Sequence, residues 1–228
     1  MLKNPWVVIA IITVVLFGGA IIFSSSETQI SNEGVEVVEA HIAGNPDATV
    51  SLVEYSDLQC PACATFQPIV TELLAQYGDK MKFEYRHFPL PMHPFALRAA
   101  VAAEAAGQQD KFYEFHDMVF QNQDEWSKAS SPNSFFIKYA SDLGLDVEKF
   151  KSQMESTDLR DKVMSDQKAG RELGITGTPT FYLNGEKMEF DTYQAFIEQV
   201  AKAADPDAPF APTLPLEGES QPAVKFGI

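Results

Sequence analysis

The sequence predicts an α/β fold: a βαβ unit, a block of helices inserted after it, a closing ββα unit, and an apolar helix ahead of them all. Three observations predict this. ATVSLVEY (48–55) is a β-branched apolar run of strand length, followed by helical spacing and then by a second, alternating run. From about residue 94 to 173 the apolar residues recur at helical intervals. Asn184-Gly185 then separates two short apolar runs, the strongest short-range hairpin signal, ahead of a final helical pattern.

At the start of the chain, one positive charge, Lys3, precedes an uninterrupted apolar run of 18 residues from Trp6 to Phe23. At about 1.5 Å per residue this run reaches ~27 Å, close to the ~30 Å of a bilayer hydrocarbon core. It is longer than the usual signal-peptide apolar region, and only Ser24-x-Ser26 offers a weak cleavage site. Residues 1–26 are therefore expected to be an uncleaved single-pass anchor in the cell membrane. A cleaved signal peptide and a buried soluble helix are the alternatives. With Lys3 on the short side, the N-terminus stays in the cytoplasm and the rest of the chain is extracytoplasmic. Disulfide chemistry is permitted there.

Residues 27–46 read as a polar tether with a short strand near Val35 to Val38, and 47–204 as one domain. Its first helix spans 64–78, with Pro68 expected to kink it and Gly78 to stop it. MKFEYRHF (81–88) is the second strand. The helical insertion covers about 92–173. In it Phe112, Phe115, His116, Val119 and Phe120 share one face, as do Phe136, Tyr139, Ala140 and Leu143. The hairpin strands are Phe181 to Leu183 and Met188 to Phe190. The last helix, 191–204, has Asp191 as N-cap and Tyr193, Phe196, Ile197 and Val200 on one face. Residues 205–228 carry Pro at 206, 209, 212, 215 and 222 and read as an extended surface tail.

With 17 Lys+Arg against 32 Asp+Glu, the net charge is -15, which argues against a nucleic-acid partner. The only cysteines, Cys60 and Cys63, are separated by Pro61 and Ala62. As a structural staple they would close a tiny loop, with little entropic gain. As metal ligands they lack a second pair, since His41, His87, His93 and His116 have no suitable spacing. No metal is expected. As a redox pair they are well placed. Cys60 follows a strand and precedes a helix whose first turn contains Pro61, where free N–H groups and the helix dipole favour a thiolate. Cys63, one turn on, is positioned to attack a mixed disulfide at Cys60.

Glu54 lies inside the first strand, where a charge needs a task or a partner. It is either a buried acid relaying the Cys63 proton or a strand-end carboxylate reaching solvent. Thr178-Pro179, directly before a strand, is expected to be cis, presenting the Thr178 backbone to an extended substrate. His87 and His93 flank the Phe-Pro segment and read mainly as ordinary strand-end and loop histidines. His116 reads as a satisfied core histidine.

Three stretches, GNPDATVSLVEYSDLQCPAC, YRHFPLPMHPFALRAAVAAEAAGQQDKFYEFHDMVF and GITGTPTFYLNG, resemble the DsbA-like branch of the thioredoxin superfamily over about residues 44–204. The resemblance implies a thioredoxin fold with a helical insertion between its βαβ and ββα halves. It makes Cys60 the attacking cysteine, Cys63 its buried partner, Glu54 the buried acid and Pro179 the cis-proline, with Pro61, Ala62 and Thr178 meeting the substrate. Enterobacterial members have His where Ala62 stands, so the strength of the oxidant is left open. The implied activity is thiol:disulfide exchange with exported proteins bearing free cysteines, most simply as an oxidase, without a soluble cofactor. Re-oxidation would come from a membrane partner such as a quinone-linked oxidase. A reductase or isomerase of the same fold, or a non-catalytic substrate-binding or chaperone module, are the alternatives.

Overall fold

The computed structural model describes residues 40–207. The apolar run Trp6 to Phe23, the strand expected near Val35 to Val38 and nearly all of the Pro-rich tail lie outside them. Among the described residues no helix is long and apolar enough to cross a membrane.

The strands are β1 (His41–Gly44), β2 (Val50–Ser56), β3 (Met81–His87), β4 (Thr180–Leu183) and β5 (Glu186–Lys187), in one sheet of order β1-β3-β2-β4-β5. β2 and β3 are parallel, joined by the crossover helix α1 (Pro61–Tyr77); the other pairings are antiparallel. The insertion comprises α2 (Ala96–Gly107), α3 (Phe112–Gln121), α4 (Gln123–Trp126), α5 (Asn133–Asp142), α6 (Val147–Gln153) and α7 (Thr157–Glu172). Helix α8 (Tyr193–Ala204) closes the domain.

Pleating assigns the two faces. Leu52, Glu54 and Ser56 of β2 alternate with Val53 and Tyr55, and the register sets Glu54 opposite Tyr85 on one side and Phe181 on the other. The Leu52 face meets α1 and α8, where the Phe66 ring packs at an angle, centroids within 5.2 Å, against both Phe181 and Phe196. The Tyr55 face is covered by α7, where Tyr55, Phe88 and Ile175 form a second, smaller cluster.

Several local expectations changed. β1 falls within the stretch read as tether; its four residues carry no apolar alternation, and pairing with β3 fixes them as a strand. Helix α1 begins at Pro61 and runs unbroken through Pro68. The α8 cap is Thr192, whose Oγ1 accepts from Ala195 N–H at 3.1 Å, not Asp191. β5 is Glu186–Lys187, and Met188 N–H adds one bond to the Phe181 carbonyl at 2.9 Å beyond it. Asn184 and Gly185 have φ of 54° and 85°, the positive pair that a tight hairpin turn requires.

The insertion is fastened to the sheet by a buried ionic network with no sequence signature. Glu104 of α2 accepts from His41 Nε2 at 2.9 Å and His87 Nε2 at 3.1 Å, with Lys162 Nζ at 3.4 Å. Lys162 also bonds Asp166 at 2.6 Å, and Asp166 takes Arg86 at 3.0 Å and the His87 N–H at 3.2 Å. Burial opposes ionisation of Glu104, but its two histidine donors hold the carboxyl well below the carboxylate range. Burial lowers His87.

Two predictions follow from this packing. Glu104 and His87 both have folded values below their unfolded ones of 4.5 and 6.5, so the stability they lend is complete above about pH 6.5 and is lost as the pH falls. Denaturant midpoints measured between pH 7 and pH 4 should drop, and Glu104→Gln should flatten that drop while lowering the pH 7 midpoint. At Gly170 of α7, an added Cβ would meet the buried rings of Phe88 at 2.7 Å and Tyr55 at 2.9 Å. Gly170→Ala should therefore destabilise despite a helix-propensity gain of about 1 kcal/mol, because overpacking costs about 1–3 kcal/mol.

Candidate active site

Cys60 is the N-cap of α1, with φ -77° and ψ 122°, and Pro61 follows in the first turn. Proline suits that position because its missing N–H would have no partner in the helix. The loop ahead of Cys60 is held by its own side chains. Asp57 accepts from Gln59 N–H at 2.7 Å, Leu90 N–H at 2.8 Å and His93 Nδ1 at 2.7 Å, while its carbonyl takes the Cys60 N–H at 2.9 Å. Gln59 Oε1 accepts from Phe95 N–H at 2.7 Å, and Gln123 Nε2 donates to the Leu58 and Cys60 carbonyls at 2.8 and 3.1 Å. Sequence reasoning missed Asp57, Gln59 and Gln123. The signal available was two polar residues, Asp57 and Gln59, just ahead of Cys60, but most of their partners, like Gln123 itself, are remote in sequence.

Cys60 is 7% exposed and Cys63 is fully buried, and both are free thiols. The Cys63 thiol donates to Cys60 sulfur, and this bond chiefly lowers Cys60 from 9.0 to about 6 against the opposing effect of burial. The Thr178 side chain and the backbone N–H groups of Cys63 and Ala62 lower it further. Cys63 is pushed well above 9.0, first by burial and then by its neighbour Cys60. The two thiols thus differ sharply in acidity, as a nucleophile and a reserve thiol must.

Glu54 is 4% exposed, beneath α1 on the apolar face of β2, and does not reach solvent. Burial raises it from 4.5 to about 8, so it is mostly protonated at neutral pH. Its charge is one cause of the high Cys63 value, which places it in electrostatic reach of that thiol. Ser56 Oγ and Tyr85 Oη, on the same face, are buried without hydrogen-bond partners.

The Thr178–Pro179 peptide is cis, and the loop lies against the cysteines, with the Thr178 carbonyl 3.4 Å from Cys60 Sγ. Cys60, Cys63, Glu54, Thr178 and Pro179 are thereby brought together at the C-terminal end of β2, with Pro61 and Ala62 forming the first turn of α1 beside them. His93 joins the site only through Asp57, and His87 turns away to Glu104. Among the described residues no group of three or more His, Cys, Asp or Glu is arranged to hold a metal.

Ultraviolet titration of thiolate absorbance should give one transition near pH 6 in the reduced protein, assigned to Cys60. Because the Cys63 thiol is its main support, Cys63→Ala should shift that midpoint upward.

A family model described as "Thioredoxin" matches residues 36–201. Among solved structures, a thioredoxin-like oxidoreductase from Silicibacter pomeroyi DSS-3 is 25% identical, covering 75% of this chain and 95% of its own at a TM-score of 0.62. Oxidised BdbD from Bacillus subtilis is 24% identical, covering 73% and 93% at a TM-score of 0.64. The alpha-DsbA1 protein of Wolbachia pipientis is 24% identical, covering 75% and 93% at 0.64. Curated relatives include the Na(+)/H(+) antiporter NhaA 3 of Salinispora tropica, 37% identical over 148 residues, which are 64% of this chain and 22% of that protein. NhaA 1 of Mycobacterium sp. strain KMS is 36% identical over 152 residues, 64% of this chain and 24% of that protein. The chain thus spans less than a quarter of the length of these two antiporters. The chain belongs to the thioredoxin family, and its βαβ, helical insertion and ββα architecture is that of the DsbA-like thiol:disulfide oxidoreductases.

Proposed function

We propose that the protein is an extracytoplasmic thiol:disulfide oxidase that passes a Cys60–Cys63 disulfide to cysteines of exported proteins. What carries this reading is the placement of Cys60 at the α1 N-cap against the cis Thr178–Pro179 loop, its pKa lowered beside a buried Cys63 whose pKa is raised. A substrate thiolate attacks Cys60 Sγ, breaking the Cys60–Cys63 bond and leaving the electron pair on Cys63. Glu54, protonated at neutral pH, supplies the proton Cys63 then takes up. A second substrate thiolate attacks the sulfur of the mixed disulfide on the substrate side and releases Cys60, the better leaving group because its thiolate is stabilised. The substrate leaves oxidised and the enzyme reduced. The loop of Thr178 and Pro179, with Pro61 and Ala62 opposite, offers backbone to an extended substrate segment.

Extracytoplasmic placement rests on Lys3 and the apolar run Trp6 to Phe23, with residues 1–26 as anchor and 27–40 as tether. It would be tested by whether added protease digests the domain from outside intact spheroplasts. The partner that re-oxidises the dithiol would be a membrane electron acceptor of the quinone-linked class. Antiport is not carried over, since the matched part is under a quarter of each of those two antiporters.

Stabilising the thiolate stabilises the reduced form and makes the disulfide more oxidising. A Cys60 value near 6 lies between the roughly 7 of reducing thioredoxins and the roughly 3.5 of the strongest oxidants of this fold. Equilibration with glutathione should therefore give a potential between about -270 and -120 mV. A potential at or below about -270 mV would make the protein a reductant. Cys63→Ala should accumulate mixed disulfides on Cys60, whereas Cys60→Ala should accumulate none.

A further inference from the structure

On the side of Glu54 away from the cis-proline loop, β1, β2 and β3, α1 and α3 line a partly open cavity of about 180 Å³. Its polar lining is Glu54, Gln67, Thr71, Tyr113, His116 and Asp117. At roughly 30 Å³ per molecule it has room for several waters, and its polar walls supply them with partners. Tyr113 is spoken for, since its hydroxyl donates to the His41 carbonyl at 2.7 Å.

His116 is the unusual group. Its ring sits within 4.6 Å of Tyr85, the cross-strand neighbour of Glu54, and is 5% exposed. Its Nδ1 is 2.8 Å from Asp117 Oδ1, so that nitrogen carries the proton and Nε2 is left as an acceptor. That Nε2 is buried and has no hydrogen-bond partner. Asp117 is 36% exposed, so the pair spans the distance between the cavity and bulk solvent. A buried acceptor left unpaired in the wall it shares with a buried acid calls for a partner, and water in the cavity can supply one.

We propose that this cavity is the proton route of the active site: water within it joins Glu54 to His116 Nε2, and the His116–Asp117 pair exchanges that proton with bulk solvent. This rests on the thiol-exchange reading and adds to it the residues that reset Glu54. When Cys63 resolves a mixed disulfide, Glu54 first releases its own proton along this route, and its carboxylate then takes the Cys63 S–H proton. The Cys63–Cys60 bond forms, and the bond from Cys60 to the partner breaks, its electron pair leaving on the partner's sulfur. Glu54 ends protonated as it began, and the proton it released has left by way of His116. In the reverse direction the same route delivers it.

The groups that face this route are Cys60 at the α1 N-cap, Cys63 from α1, Tyr85 from β3, and Tyr113 and Asp117 from α3, while the charge of Glu84 also reaches Tyr113. His116 acts through Glu54, so it is a positioning residue for the proton and not a catalytic one.

The test uses the full chain carrying His116→Phe or His116→Gln. Two rates are measured across pH 5 to 9: capture of a model disulfide by Cys60, and its resolution by Cys63. Both variants should leave capture unchanged and slow resolution about tenfold, below the about 10²–10⁴-fold that a direct general acid or base supplies. Added imidazole should restore the rate. Glutamine can still bond Asp117 but cannot accept and return a proton. A Gln variant that resolves at the wild-type rate, or slowed variants that imidazole does not rescue, would overturn the route. Failure of wild-type Cys60 to capture the disulfide at all would instead overturn the thiol-exchange reading.

Discussion

Everything at this site depends on one hydrogen bond, from the Cys63 thiol to the sulfur of Cys60 at the start of α1. It makes two chemically identical side chains unequal. Cys60 gains a donor at the end of a helix where backbone N–H groups are already free, while Cys63, one turn in, is sealed against the sheet. The bond exists only if Cys60 is held at the cap. Asp57, Gln59 and Gln123 do that holding by satisfying the backbone of the loop from Leu58 to Cys60 and of the segments facing it.

The carboxyl of Glu54 is the second constraint. A charge on the apolar face of a central strand costs more than any hydrogen bond there returns, so the group stays protonated until well above the ordinary range of a glutamate. The same burial that makes it an expense to the fold makes it a proton donor at neutral pH. Between pH 4.5 and about 8 the folded state resists an ionisation the unfolded state accepts. Stability from this residue is therefore present at low pH and lost as the pH rises through that window. The network around Glu104 and His87 runs the opposite way, so the two together favour an intermediate pH.

Much of this was readable in the sequence because it is local. Alternation in ATVSLVEY and MKFEYRHF, Pro61 after Cys60, and Asn184-Gly185 each act within a few residues, and the corresponding strands, helix start and hairpin are in place. Glu54 was legible in part: an acid in an apolar run stood out, but only its burial in the structure decides between a buried acid and a carboxylate reaching solvent. What was not legible depends on partners far apart in the chain. β1 is a strand because β3 lies beside it, His41 is buried because Glu104 is 63 positions away, and His116 differs from an ordinary core histidine only through the cavity that α1 and β2 complete. Thr192 displaced Asp191 as cap because both are good caps and the direction of chain entry decides between them.

If the Cys63-to-Cys60 hydrogen bond sets the chemistry, the reduced form must gain stability that the disulfide form cannot. The folded value near 6 lies below the ordinary 9.0 of an unfolded thiol, so that gain is complete above pH 9 and is lost as the pH falls through 6. The burial cost of Glu54 is common to both redox forms and largely cancels in their difference. The direct measurement is denaturant unfolding of the reduced and the oxidised protein from pH 5 to pH 9. The account predicts that the reduced form gains on the oxidised form steadily between pH 6 and 9. A difference that stays flat across that window would contradict it.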